Sequence, residues 1–315
     1  MVVYICTSLT RGPGESEREK ESRKGRRGGD ERRMEEPSTL AQLARWAAAR
    51  YGDGCFLQLW SETRGVTRSL SFRQFHLLEI SARQRLGMML IERGLPLATG
   101  RVALLSHACA DSLALSLAVT ALGRTLVCLN WRQPPPVLAQ LLRGLHCDVL
   151  LAGRSFVGLA REIAFARSSE GMGQAALVIL IDGAEDESGL SLNEEIALNL
   201  PAVHTDPTDG SSITVGLPQV DADVSPSDTA VIMFTSGTSS LPKAVPLTHG
   251  GLLWSCAAKA QAEREHLGLD FMSPASWGGQ GHAQQLLHRG TLAFLPTFHV
   301  IGFTNNFLYN LLVRV

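Results

Sequence analysis

No run of apolar residues in this 315-residue sequence reaches the roughly 18 that a membrane-spanning helix requires, so no membrane span is expected. An excess of charge of one sign is missing as well. With a formal net charge of -1, the chain has no global balance that would favour nucleic acid or an anionic membrane as partner. The six cysteines, Cys6, Cys55, Cys109, Cys128, Cys147 and Cys256, stand far apart, with no CxxC pair and no histidines at matching spacing. That pattern argues against a zinc site or a disulfide framework and for reduced, partly buried thiols, and no metal ligands are identified. Met1 to Leu9 is apolar but short and lacks a basic start, so a secretory signal is not expected; the interspersed acidic residues that follow disfavour a mitochondrial presequence.

What is present is a core-forming fraction of 45% hydrophobic residues, as in a soluble globular protein with a sizeable interior. It is unevenly spread. Arg11 to Pro37 consists largely of Arg, Lys, Glu, Gly and Ser, which cannot bury enough surface to offset their ordering entropy. Residues 1–37 are therefore expected to form a disordered charged tail, and 38–315 the folded part. Leu40, Leu43, Ala47 and Tyr51 recur at helical spacing, a hairpin fits Cys55 to Leu70, and Ser71 with Gln74 has the form of a capping box opening a helix that Gly94 stops.

From Arg101 onward, strand-like runs alternate with helical ones. The strands are Arg101–Leu105, Thr125–Leu129, Asp148–Leu151 and Ala176–Ile181. The helices are Ser112–Leu122 with Asp111 as N-cap and Gly123 as stop, Pro134–Arg143 closed by Gly144, and Val157–Arg167. This alternation predicts an α/β fold of layered, mostly parallel sheets with flanking helices and a ligand site at the carboxyl ends of the strands. The Ser-, Thr-, Pro- and acid-rich stretch 183–227 reads as a flexible connector, and 268–290 as a possible insertion.

The stretch Val231 to His249 carries the chemistry. An apolar strand, Ala230 to Phe234, empties into a turn with hydroxyls at Thr235, Ser236, Thr238, Ser239 and Ser240 around Gly237, and then Pro242 and Lys243. Gly237 lets backbone N–H groups approach an anion, the hydroxyls donate further hydrogen bonds, and Lys243 supplies a point charge suited to phosphate. The spacing is not that of the Walker-type P-loop, which has Gly immediately before Lys where Pro242 stands. Thr248 is expected to cap a helix from Leu252 to about His266, with His249 either facing a ligand or satisfied by backbone. Farther on, a strand from Thr291 to Leu295 leads into Pro296, Phe298, His299 and Gly302, and a helix is expected from about Asn305.

The turn resembles the phosphate loop of the adenylate-forming (AMP-binding) superfamily, whose usual wording is Tyr/Phe-Thr-Ser-Gly-Thr-Thr-Gly-x-Pro-Lys-Gly-Val, then Thr-His. This sequence departs at Ser240 and Ala244, where the family usually has Gly. Ser71-Phe72, Gly100 to Ala103, and Leu117-Ala118 through Gly123 to Asn130 resemble the family's N-terminal motifs in their order. Pro296 to Gly302 is similar to its Pro-x-Phe-His-x-x-Gly motif.

The resemblance, strongest with acyl- and aryl-CoA synthetases, implies ATP-dependent activation of a carboxylic acid to an acyl-adenylate and then thioester formation. ATP and Mg2+ are the implied cofactors, and CoA the implied co-substrate. Thr235, Ser236, Gly237, Thr238, Ser239, Ser240 and Lys243 would bind the nucleotide, with Lys243 and Thr238 catalytic. Phe298, His299 and Gly302 would border the acid. The family's later motifs are not in the sequence, so the expectation is a chain covering only the N-terminal part of the large domain. Two alternatives stand: a non-catalytic nucleotide- or partner-binding remnant, and an adenylation domain of a peptide synthetase or carboxylate reductase. The expected location is cytoplasmic, a peroxisomal signal being something that would lie past Val315.

Overall fold

The fold is that of a computed structural model describing residues 2–5, 35–61, 65–169, 177–181, 196–198, 223–235, 241–267, 291–293 and 295–313. Four apolar residues, Val2–Ile5, form strand β1. Helix α1 spans Leu40–Tyr51 and buries Leu40, Leu43, Ala47 and Tyr51, the residues its periodicity singles out. The hairpin follows as β2 (Cys55–Ser61) and β3 (Gly65–Ser71), paired antiparallel. Helix α2 (Phe72–Glu92) opens on the reciprocal Ser71–Gln74 capping box, and Gly94 takes a left-handed φ of 67° just past its end.

The alternating region yields β4 (Arg101–Leu105), α3 (Ala110–Ala121), β5 (Thr125–Cys128), α4 (Pro135–Gly144), β6 (Cys147–Gly153), α5 (Val157–Ser169) and β7 (Leu177–Ile181). A three-residue strand, β8 (Ile196–Leu198), lies inside the stretch read as a connector, the rest of which, up to Ala222, falls outside the described residues. Then come β9 (Thr229–Thr235), β10 (Lys243–Thr248), α6 (His249–Leu267) and β11 (Thr291–Ala293). The last segment is one turn of helix, α7 (Val300–Phe303), a π-helical stretch at Thr304–Leu308, and α8 (Tyr309–Leu312). The suspected insertion, 268–290, lies outside the described residues.

Two sheets result. The larger has the order β10-β9-β5-β4-β6-β7-β8, parallel throughout except for the antiparallel β9–β10 pair. The smaller, β11-β1-β2-β3, is antiparallel, so the expectation of mostly parallel sheets holds for the first and not for the second. Side chains of the central strands alternate between two cores. Val102, Leu104, Leu126, Cys128, Val149 and Leu151 enter the one shared with α1, α2, α3 and α6. Their neighbours Ala103, Leu105, Val127 and Leu150 enter the one under α4 and α5. Every residue of α3 is buried, because it lies between the sheet and helices α1 and α2.

Several boundaries move, each for a local reason. Val2–Ile5 belongs to the smaller sheet rather than to a disordered tail, since a β-prone tetrapeptide finds partners in β2 and β11; residues 6–34 lie outside the described residues. Cys109, not Asp111, caps α3: its thiol accepts the Ser112 amide hydrogen at 3.4 Å while Ser112 Oγ accepts from the Cys109 amide at 3.0 Å. Asp111 then sits in the first turn, where the helix dipole favours a negative charge. Gly144 is the last residue of α4, and the left-handed residue is His146, with φ 49°. The final helical segment starts at Val300 rather than near Asn305.

Candidate functional site

Because β9 runs parallel to β5, it ends at the same sheet edge as β4, β5, β6 and β7. Thr235 closes β9 at that edge and Lys243 opens β10, the two residues facing each other across the hairpin. Both side chains are exposed, and among the described residues no ion pair holds Lys243. Ser236, Gly237, Thr238, Ser239 and Ser240 lie outside the described residues. Ala244 pairs with Phe234 in an exposed, extended strand and has no positive φ. A Cβ there is accommodated without strain, so the departure from glycine at this position does not restrict the backbone needed here.

The far side of the turn is fastened by residues that the sequence leaves ambiguous. His249 begins α6 and is 2% exposed; its Nδ1 accepts the Leu40 amide hydrogen at 3.1 Å, and its own amide donates to the Asp228 carbonyl at 3.1 Å. Burial pulls its imidazole pKa down to about 4, against the opposing pull of Asp228. The structure therefore supports the backbone-satisfied alternative for His249 over the ligand-facing one. Thr248 Oγ1 accepts the Gly251 amide hydrogen at 3.1 Å, the capping expected of it, although the helix starts at His249 rather than Leu252.

Phe298 is buried, and His299 beside it is exposed, with ring centroids 4.6 Å apart. The His299 amide donates to the Pro296 carbonyl at 3.1 Å, closing the turn that presents both rings. Gly302 is needed for a close approach that is internal to the motif. A Cβ at 302 would collide with the Pro296 carbonyl oxygen and come within 2.9 Å of that of Leu295.

The same edge holds an aromatic group that sequence reading misses. Trp131 meets Phe298 edge-on, 6.0 Å between centroids at 86°, and also contacts His107 at 5.3 Å and Phe156 at 5.7 Å. The signal for it was positional: His107 follows the end of β4 at Leu105, Trp131 the end of β5 at Cys128, and Phe156 the end of β6 at Gly153. Trp131 packs against both cores, and Phe234 of β9 packs against one of them. Burial pushes the Cys128 thiol at the end of β5 up to about 12, which disfavours its nucleophilic thiolate form.

Among the described residues no group of three His, Cys, Asp or Glu side chains is placed to hold a metal ion. No described helix is long and apolar enough to cross a membrane.

A family model described as AMP-binding enzyme matches residues 44–314. Over 147 residues, 47% of this chain and 2% of the relative, the sequence is 31% identical to cyclochlorotine synthetase of Talaromyces islandicus. Over 77 residues, 24% of this chain and 11% of the relative, it is 35% identical to 4-coumarate–CoA ligase 4 of Arabidopsis thaliana. A solved structure from Rhodopseudomonas palustris, named as a long-chain-fatty-acid CoA ligase, superposes with a TM-score of 0.57 at 20% identity, which speaks to the fold alone. That alignment covers 87% of this chain and 55% of the other, so the chain spans little more than half the length of the solved relative.

Proposed function

Since the chain belongs to the AMP-binding enzyme family, we propose that it serves an ATP-dependent ligase that activates a carboxylic acid as its acyl-adenylate and passes the acyl group to a thiol. The observation that carries this reading is the placement of Thr235 and an exposed Lys243, held by no ion pair among the described residues, at the carboxyl edge of the sheet, with Phe298 resting on Trp131 just past the end of the neighbouring strand β5.

In the first step, a carboxylate oxygen attacks the α-phosphorus of ATP, a P–O bond forms, and the bond to the departing pyrophosphate breaks. No protein nucleophile is required, so the protein's part is positioning and charge stabilisation. Backbone N–H groups around Gly237, with the hydroxyls of Thr235, Ser236, Thr238, Ser239 and Ser240, would cradle the β- and γ-phosphates. Lys243 would neutralise the charge that accumulates on the leaving pyrophosphate. Mg2+ would be held mainly by phosphate oxygens and would spread the same charge. Phe298 and His299 would border the acid. In the second step a thiolate, with CoA the expected donor, attacks the acyl carbonyl and AMP leaves.

The test is exchange of labelled pyrophosphate into ATP by the purified protein, across a panel of aliphatic and aryl acids. Acid-stimulated exchange is expected. Binding of Mg-ATP in a calorimeter without exchange for any acid would overturn the ligase reading in favour of a nucleotide-binding protein.

A further inference from the structure

Phe298 is the ring through which the family motif would reach the acid, and its position depends on a residue outside that motif. Trp131 stands on the segment after β5 and abuts Phe298 edge-to-face at 6.0 Å, the geometry favoured between aromatic rings. It is braced on its other sides by His107 after β4 and Phe156 after β6, themselves in ring contact at 4.7 Å. The Arg132 guanidinium lies 5.0 Å from its ring centroid, and the Arg132 amide donates to Asn130 Oδ1 at 3.0 Å, which fixes the turn carrying the indole. The indole is thus held by the ends of three adjacent parallel strands and transmits their position to the Phe298 turn.

We propose that Trp131 is a positioning residue for the acid-binding half of the site, acting through Phe298 and not through contact with substrate. The inference rests on the ligase reading for its functional consequence, but its structural half stands apart from it. Among the described residues Trp131 Nε1 is buried with no hydrogen-bond partner. The contacts that hold the indole are made by its ring face and edge, so what it gives the Phe298 turn is the shape and area of the ring. A phenyl ring at 131 therefore preserves most of the effect, whereas a methyl group loses it. The ring contacts of Trp131 run to His107, Phe156 and Phe298 and not to Thr235 or Lys243, so its loss should weigh on the acid half of the site more than on the nucleotide half.

The experiment compares Trp131→Ala, Trp131→Phe and the parent by two readouts. Amide hydrogen exchange of residues 295–303 reports the Phe298 turn directly; it is expected to accelerate in Trp131→Ala, with that of 229–235 unchanged, and to return near the parent value in Trp131→Phe. In the pyrophosphate exchange assay, the KM for the acid is expected to rise about tenfold or more in Trp131→Ala while the KM for ATP stays within about twofold. Unchanged protection of 295–303 in Trp131→Ala overturns the proposal, as does an equal rise in both KM values. If the parent shows no exchange with any acid, the ligase reading fails, and the protection of 295–303 still decides whether Trp131 holds the turn.

Discussion

His249 Nδ1 accepts the amide hydrogen of Leu40 at 3.1 Å, across 209 positions of sequence. Leu40 opens α1, and its cap residue Thr39 makes no side-chain capping bond, so a histidine from the start of α6 satisfies one of the donors that the helix leaves open. Only the neutral imidazole can accept at Nδ1.

The stability of the fold should therefore fall in mild acid. The unfolded imidazole takes up a proton near its ordinary value of 6.5, while the folded one resists until about 4. Between those values the unfolded state binds the extra proton, so acid favours unfolding by at most ~1.4 kcal/mol per pH unit from this group. His249→Ala should cost ~1–2 kcal/mol at pH 7 through the lost cap. It should also flatten the fall in stability between pH 6.5 and pH 4, as read by urea unfolding of both proteins at pH 7 and pH 5. Parallel pH dependence in the two would show that His249 stays protonated or exposed.

That contact also marks the limit of what the sequence discloses. The parallel strands were legible because Val102, Leu104 and their neighbours alternate between two buried faces while the intervening helices carry caps and glycine stops. The hydroxyl-rich turn was legible because its residues are adjacent in the chain. The group of His107, Trp131, Phe156 and Phe298 was not, since it exists only once β5, β4 and β6 are known to be neighbours in that order. Of the smaller sheet, the β2–β3 hairpin was legible, but β1 and its pairings were hidden for a related reason: β1 pairs with β11, whose residues Thr291–Ala293 lie almost the whole chain away. Local propensity speaks for helices and turns; pairing between distant segments leaves little trace in composition.

At the opposite edge of the larger sheet, a second contact should govern stability without touching the site. Arg124, whose side chain is 0% exposed, pairs with Asp148 at the start of β6 and donates to the Pro96 carbonyl. Gly100, with φ 102°, lies so close that a Cβ would come within 2.7 Å of Arg124 Nη2. Asp148→Asn removes the charge facing a buried guanidinium and should destabilise the fold by ~3 kcal/mol. The KM for ATP in exchange assays below the unfolding transition should not change. A midpoint in guanidinium chloride equal to that of the parent would show that the pair contributes nothing net.

Lys243 offers the reverse separation of stability from activity. It is exposed at the first position of an edge strand and, among the described residues, engages no carboxylate, so its charge does no work in the fold that burial or pairing would reveal. Lys243→Met should leave the unfolding free energy within ~0.5 kcal/mol. If the charge instead stabilises the leaving pyrophosphate, exchange should fall about 100-fold or more, as when a preorganised donor is removed from a transition state. Lys243→Arg should recover only part of that loss, because a planar guanidinium does not reproduce a compact ammonium at a site shaped for a point charge. Adding Thr238→Ala to Lys243→Met should bring exchange to background. Steady-state exchange of the three variants, set beside their urea midpoints, decides the matter: unimpaired exchange in Lys243→Met would remove this lysine from the chemistry and with it the main charge assigned to the phosphate turn.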